Sequence, residues 1–279
     1  MRKVSNQIRI IRIPISTPTL YPNTETNSYL IGNEEESLLV DAGYDQVDTI
    51  REVEKAIQDH DMVAPKRILL THYHPDHAPG VRQLQHFSPT VLCHQKELEQ
   101  IKEAIHPLTH IQTVHDGENI QIDGVNITII HGPGHTAGHL SLYIPSEKVL
   151  LSGDNIVSDG TTWIGAPDGD MRDYLQTLNR LKQFDMKKIG PGHGDWVLNP
   201  YEKIDFVMKR RLKRESQIKE LLKDKQSLSS EQLTTWIYKD QIHPSVFEVA
   251  KKTIEAHLVK LQKDGLVQNK NGQYSLLNT

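Results

Sequence analysis

Disulfides and membrane spans are both missing from this 279-residue sequence. Its single cysteine, Cys93, cannot form an internal disulfide and is typical of a reducing compartment. Aromatic residues make up 6% of the chain. No apolar run approaches the roughly 18–20 residues needed to cross a bilayer. Arg9 and Arg12 interrupt the apolar core that a signal peptide would need. We therefore expect a cytoplasmic protein without membrane partners.

Charge and histidine are distributed unevenly along the chain. Residues 201–279 contain 15 Lys and Arg against 10 Asp and Glu, whereas residues 1–200 contain 17 against 26. Thirteen of the 15 histidines also lie before residue 201. This change predicts two domains of different chemistry, residues 1–200 and residues 201–279.

The first 200 residues alternate short apolar strands with amphipathic helices, which is the pattern of a mixed α/β fold. Predicted strands include "SLLVDAG", "RILLTH", "TVLCH" and "KVLLSGD", and "QVDTIREVEKAIQDHD" is a predicted helix. Several strands end in, or are soon followed by, segments rich in Gly, His or Asp. Buried strands that deliver polar side chains at their ends are expected to build a functional site there.

The densest of these segments is "THYHPDHAPG", directly after the strand "RILL". It places His72, His74, Asp76 and His77 within six positions. Imidazole and carboxylate suit zinc, iron or manganese, and the thiolates usual in purely structural zinc sites are missing here. The spacing therefore predicts a metal site rather than a solvated loop.

Three further segments extend this motif: "HGPGHTAGH" at 131–139, "SGDN" at 152–155 and "PGHGD" at 191–195. Their glycines permit tight turns that aim side chains at a common centre. Together, the four segments resemble the metallo-β-lactamase superfamily. This resemblance covers roughly residues 8–200 and implies an αβ/βα four-layer sandwich with the site at one edge.

The resemblance also implies two divalent metal ions, zinc in the first place, with iron and manganese as alternatives. The implied ligands are His72, His74 and His135 for one ion, Asp76, His77 and His193 for the other, and Asp154 for both. Asp41, in "LLVDAG", is implied to support the site without being a ligand.

Seven ligands shared by two cations leave coordination positions for water and for a substrate oxygen. A hydroxide between two ions about 3.5–4 Å apart is then the expected nucleophile. It would attack a carbonyl centre, as in an ester, thioester or lactone, or a phosphorus centre, with the substrate oxygen polarised by a metal. The predicted catalytic residues are Asp76 and His139. His139 has two interpretations: a proton donor to the leaving group, or a residue that hydrogen-bonds near the metals.

Aromatic candidates for the wall of a substrate pocket are Tyr73, Trp163 and Tyr174. The segment "STPTLYPNTETN", residues 16–27, is expected to close over that pocket. Isolated histidines such as His94 are expected to be structural or exposed.

Residues 201–279 are predicted to form a small winged-helix domain. Three helical segments precede "LVQNKNGQYSLL", in which Asn271 and Gly272 favour a type I′ hairpin. Ser229 or Ser230 is the expected cap of the second helix. Two interpretations of the basic first helix stay open: nucleic-acid contact, or a solvated face of a domain that walls the active site. Its cations are Lys209, Arg210, Arg211, Lys213 and Arg214.

A catalytic domain followed by a winged helix resembles the lactamase-β-like proteins, whose animal member is a mitochondrial endoribonuclease acting on single-stranded RNA. "TNSYLIG", "PGHTAGH" and "LVKLQKDG" carry this resemblance, and "PGHTAGH" is also similar to glyoxalase II thioesterases. Two functions are therefore candidates: hydrolysis of a small-molecule ester, thioester or lactone, and cleavage of single-stranded RNA with help from the basic domain. Monomer and homodimer both stay open.

Overall fold

The structure of the chain is a computed structural model that describes residues 8–18 and 24–277. Residues 19–23, part of the segment expected to close over a pocket, lie outside the described residues. The chain divides into two compact units. The first comprises Met1–Gly132, Gly138–Gly160 and Phe184–Pro200, and the second comprises Pro133–Ala137, Thr161–Gln183 and Tyr201–Thr279.

Two β-sheets form the frame of the first unit. The six-stranded sheet has the order β1-β2-β3-β4-β5-β6, with bounds β1 Arg9–Ser16, β2 Glu25–Gly32, β3 Ser37–Val40, β4 Arg67–Leu69, β5 Thr90–His94 and β6 Ile111–Val114. The five-stranded sheet has the order β11-β10-β9-β8-β7, with bounds β7 Asn119–Ile122, β8 Val125–His131, β9 Leu140–Ile144, β10 Val149–Gly153 and β11 Lys188–Pro191. Strands β3 to β6 are parallel, and so are β10 and β11.

Both faces of the six-stranded sheet are buried, which explains the continuous apolar runs of its strands. Leu39 packs in a core with residues of the helices on one face. Its neighbour Leu38 packs on the opposite face with Leu142 of the five-stranded sheet. Adjacent residues thus serve two cores, as the two-residue period of a strand requires. The helices are α1 Val47–Asp59, the 3-10 helix Pro79–Phe87 and α2 Leu98–Ile105.

The second unit is mainly helical in the part of the chain that the structure describes. Its elements are α3 Met171–Leu181, α4 Pro200–Lys225, α5 Ser230–Tyr238, α6 Phe247–Lys263, β12 Val267–Lys270 and β13 Gln273–Leu276. Ile218, Leu233 and Leu258 bring α4, α5 and α6 into one core. Over residues 8–18 and 24–277, no helix is both long and apolar enough to cross a membrane.

Local signals in the C-terminal sequence are confirmed. Ser229 caps α5, and a reciprocal bond between its backbone and the side chain of Gln232 completes a capping box. Asn271 and Gly272 take positive φ values of 53° and 81°, as a type I′ turn requires. Three helices and a hairpin therefore give the predicted winged-helix arrangement.

Candidate metal centre

Three strand ends deliver six of the seven predicted ligands to the first unit. His72, His74, Asp76 and His77 follow β4, Asp154 follows β10, and His193 follows β11. Strand β4 lies in the six-stranded sheet and β10 and β11 lie in the five-stranded sheet, and in both sheets the ligands follow the carboxyl ends of strands that have a parallel neighbour. Loops after such strands are common locations for binding sites.

Two overlapping groups of ligand atoms lie in the first unit, and within each group all atoms lie within 4.8 Å of one another. The groups are His72, His77 and Asp154, and Asp76, His77 and His193, and all five residues are buried. His74, in the same unit, is partly exposed, and His135 belongs to the second unit. A buried cluster of only nitrogen and oxygen donors suits a divalent transition metal.

Asp41 lies behind the motif and fixes its first residues. Its Oδ1 accepts a hydrogen bond from the Thr71 backbone N–H at 2.8 Å. Its Oδ2 accepts from Thr71 Oγ1 at 2.9 Å and from His77 Nδ1 at 2.8 Å. Asp41 takes a φ of 57°, a left-handed conformation that Asp and Asn adopt more readily than most side chains.

Hydrogen bonds also decide which ring nitrogen faces the cluster. His77 donates through Nδ1 to Asp41, and His193 donates through Nδ1 to a backbone carbonyl at 2.8 Å. Their Nε2 atoms then face carboxylates: His77 Nε2 lies 3.3 Å from Asp154 Oδ1, and His193 Nε2 lies 3.2 Å from Asp76 Oδ2. A neutral imidazole would turn a lone pair towards a carboxylate at these positions, so positive charge is required between them, either as a proton on Nε2 or as a metal ion. These residues therefore fit a bound cation.

The electrostatics of the cluster favour a cation as well. Burial lowers the pKa of His193, but Asp154 and Asp76 outweigh it and raise that pKa to about 10. Burial also lowers the pKa of His77, but the surrounding carboxylates outweigh it and raise that pKa well above its usual value: Asp76, Asp154 and Asp41. Burial raises the pKa of Asp76, but His77 and His193 bring it down to about 2. The cluster thus stabilises positive charge beside ionised carboxylates.

A glycine allows β11 to end close to Asp154. Strands β10 and β11 change register between Leu151 and Gly153, directly before Asp154. A Cβ atom on Gly192 would lie 2.2 Å from Asp154 Oδ1. No larger residue fits at this position unless the carboxylate moves.

His139 lies directly before β9 and is fully buried. Its Nε2 accepts a hydrogen bond from the Asp154 backbone N–H at 3.1 Å, and its Nδ1 lies 2.9 Å from the Asn155 side-chain nitrogen. These contacts hold the peptide that carries Asp154. They favour the orienting interpretation of His139 over that of a proton donor.

Glu97 belongs to the surroundings of the site, although no sequence pattern points to it. Its side chain is buried and accepts hydrogen bonds from the backbone N–H groups of Gly138 at 2.7 Å and Tyr73 at 3.2 Å. It therefore joins the segment after β4 to the segment before β9. In the sequence it is one of several glutamates in a helical pattern, so its burial has no local signal.

The three aromatic pocket candidates have different surroundings. Tyr73 is half-buried, and its ring centroid lies 5.0 Å from that of His74. Trp163 lines a cavity of the second unit, and its backbone carbonyl accepts a hydrogen bond from His135 Nδ1 at 2.9 Å. Tyr174 has no exposed surface, which is not the position expected of a pocket wall.

The basic residues of α4 do not form one solvated face. Lys209, Arg210 and Lys213 are exposed. Arg211 is only 7% exposed, and its guanidinium donates to the backbone carbonyl of Thr162. The expectation of an exposed basic surface is therefore wrong for Arg211.

Comparison with protein families accounts for both parts of the chain. Residues 22–193 match the Metallo-beta-lactamase superfamily, and residues 229–273 match the Beta-lactamase associated winged helix domain. The crystal structure of a metallo-beta-lactamase family protein from Thermus thermophilus has a TM-score of 0.80 at 21% identity, covering 96% of this chain and 98% of that chain. The predicted mixed α/β fold with its winged helix is confirmed.

Relatives in sequence agree with this assignment. Beta-lactamase-like protein 2 homolog from Caenorhabditis elegans is 31% identical over 264 residues, covering 93% of this chain and 86% of the relative. An atrochrysone carboxyl ACP thioesterase from Cryptosporiopsis sp. (strain 8999) is 24% identical, covering 93% of this chain and 81% of the relative. The chain therefore belongs to the metallo-beta-lactamase superfamily, as a hydrolase with a C-terminal winged helix.

Proposed function

We propose that this protein is a binuclear metal-dependent hydrolase that cleaves an ester, thioester or lactone bond, with thioesters as the first class to test. The observation that carries the proposal is the buried cluster of histidine and aspartate donors in two overlapping groups of the first unit. A cysteine nucleophile is not an alternative, because burial raises the pKa of Cys93 to about 12.

The donor set supports two divalent cations, zinc in the first place and iron or manganese as alternatives. We assign His72, His74 and His135 to one ion, Asp76, His77 and His193 to the other, and Asp154 to both. Such ions, when bound, lower the pKa of a water molecule and polarise the carbonyl of a substrate.

Three acidic or basic side chains have proposed roles beyond coordination. Asp76 is the catalytic carboxylate: Thr26 Oγ1 donates to its Oδ2 at 3.1 Å, and a pKa of about 2 keeps it ionised and able to accept a hydrogen bond from water. His139 positions Asp154 through the backbone N–H of that residue. Asp41 holds the proton of His77 on Nδ1, which leaves Nε2 for a metal.

The thioester class is supported by relatives rather than by a pocket. The similar protein from Cryptosporiopsis is named a thioesterase, and so are several other relatives. A thioester carbonyl needs what an ester or lactone carbonyl needs, namely an activated water and a polarised oxygen. We therefore place all three bond types in one candidate class of small-molecule substrates.

Cleavage of single-stranded RNA is the alternative function. The winged-helix match and the exposed side chains of Lys209, Arg210 and Lys213 favour it. The burial of Arg211 counts against it, because a buried guanidinium cannot meet a phosphate backbone on the surface.

Two other expectations stay predictions. One is the division into domains at residues 1–200 and 201–279, and the other is a cytoplasmic location, which rests on the single cysteine.

Parallel assays of metal-loaded protein on acyl thioesters, lactones and short single-stranded RNAs test this function. We expect hydrolysis of a carbonyl substrate, intact RNA, and loss of hydrolysis in Asp154→Asn. The matched control is Asp159→Asn, since Asp159 is exposed and lies outside the ligand groups. RNA cleavage without ester hydrolysis would replace the proposal by its alternative, and an active Asp154→Asn variant would refute the metal assignment.

A further inference from the structure

A cavity of about 250 Å³ lies in the second unit, apart from the ligand groups. The rings of Trp163 and Tyr238 form part of its wall, together with the arginines Arg210, Arg211 and Arg214. The remaining wall consists of Val246, directly before α6, of side chains of α6 itself, and of two threonines before α3: Val249, Ala250, Thr253, Thr161 and Thr162. The cavity therefore combines three arginines with aromatic, aliphatic and hydroxyl side chains.

Two of these arginines carry buried N–H groups without an acceptor. Arg211 is 7% exposed; one of its terminal nitrogens donates to the Thr162 carbonyl, but its Nε has no hydrogen-bond partner among the described residues. The Nη1 atom of Arg214 is buried and has no partner there either, while the guanidinium carbon lies 4.3 Å from the Tyr238 ring centroid. Buried donors of a charged group are costly to leave unsatisfied.

No described carboxylate compensates the positive charge of this cavity. Among the side chains that the structure describes, a set without Asp240, none forms an ion pair with any of the three guanidiniums. Burial lowers the pKa of Arg211, and the nearby Arg210 and Arg214 lower it further. Three like charges around one cavity, one of them buried, form an arrangement that an anion would stabilise.

We propose that this cavity binds the phosphate group of a small phosphorylated molecule. A phosphate monoester offers three oxygens, enough for guanidiniums that approach from separate residues, whereas one arginine fork satisfies a carboxylate. The aromatic and apolar wall would contact the organic part of the same molecule. Neither the metal ligands nor the winged-helix match assigns such a site.

Trp163 connects this cavity to a proposed metal ligand. Its indole ring lines the cavity and donates through Nε1 to the Val249 carbonyl at 3.3 Å. Its own backbone carbonyl fixes His135. Trp163 thus contacts both the cavity, through its ring, and the proposed ligand His135, through its backbone carbonyl. The binding itself does not depend on the proposed hydrolysis and can be measured without a substrate.

Isothermal titration of the metal-loaded full-length protein with inorganic phosphate, phenyl phosphate and acetate tests this inference. We expect both phosphates to bind and acetate to bind at least about tenfold more weakly. Arg214→Gln should weaken phosphate binding by about tenfold or more, because it removes a charge-assisted donor from the cavity. The matched control is Lys213→Gln, an exposed cation on the same helix outside the cavity, which should bind like the wild type.

A second variant covers the case in which Arg214→Gln does not fold. Arg210→Gln changes an exposed side chain at the cavity and should still weaken phosphate binding measurably. If both variants fold and bind phosphate with wild-type affinity, the phosphate binds elsewhere, such as at the metal centre, and the inference is overturned. If Arg214→Gln is unfolded, wild-type phosphate affinity in Arg210→Gln alone has the same consequence. Equal affinity for acetate, or binding of short RNA without binding of phenyl phosphate, would overturn it as well.

Discussion

Replacing Asp41 by Asn tests whether the residue behind the cluster controls metal binding. The change keeps the shape of the side chain and suits the backbone, because Asn also tolerates the φ of 57° found here. It replaces one carboxylate oxygen by an NH₂ group. Both oxygens of Asp41 accept hydrogen bonds, from Thr71 or from His77. In the variant, the new NH₂ group would therefore face an N–H or O–H donor of one of these residues, and a hydrogen bond would be lost.

The expected size of the effect follows from these contacts. The pairing of His77 Nδ1–H with a carboxylate is a hydrogen bond to a charged group, and such bonds contribute about 1.5–3 kcal/mol. If His77 instead moves its proton to Nε2, it can no longer bind a metal through that atom. Loss of a residue that orients a ligand typically weakens metal binding by about 10–100-fold, or about 1.4–2.7 kcal/mol.

Competition with a chromophoric chelator measures this loss, and circular dichroism checks that the variant is folded. Asp45→Asn is the matched control: Asp45 lies four positions away in the sequence, is exposed and pairs with Arg82 at 3.0 Å. That variant should bind metal like the wild type, since surface ion pairs contribute little. A folded Asp41→Asn variant that binds both ions with wild-type affinity would show that Asp41 does not tune the site.

Further substitutions probe other parts of the chain. Gly192→Ala should lower the metal content measured by elemental analysis, because its Cβ would lie 2.2 Å from Asp154 Oδ1; unchanged content would contradict the close approach. Asp170→Ala removes the cap of α3 and the ion pair with Lys263, so the free energy of unfolding in urea should fall by about 1 kcal/mol. Burial raises the pKa of Asp170, but Lys263 and backbone donors bring it below the usual 3.8. The difference from wild type should therefore be present at neutral pH and vanish as the pH falls through that lowered value; a difference independent of pH would count against it. His94→Ala should leave metal content unchanged, since this ring lies outside the ligand groups; a loss of metal would show a missed ligand.

Features with local causes could be predicted from the sequence. The spacing of His72, His74, Asp76 and His77 after an apolar strand reveals the superfamily, because a short loop brings these side chains together whatever the rest of the chain does. The hairpin at Asn271 is equally local, since its turn requires positive φ values.

Features that depend on distant contacts could not be predicted. Glu97 is buried because it binds the backbone of Gly138, 41 residues away, and Arg211 is buried beside Thr162, 49 residues away. Charged residues are mostly exposed, so their types alone favour a solvated surface. The arginine cavity therefore becomes visible only when the segments before α3 and around α4 are seen together in the second unit.

The metal content of the active protein tests the central claim most directly. Protein loaded with zinc, iron or manganese and freed of excess metal should contain about two divalent ions per chain by elemental analysis. Asp154→Asn, which alters the residue assigned to both ions, should contain about one or none and should lose hydrolysis. Full hydrolytic activity in a preparation with no more than one ion per chain would contradict the binuclear account.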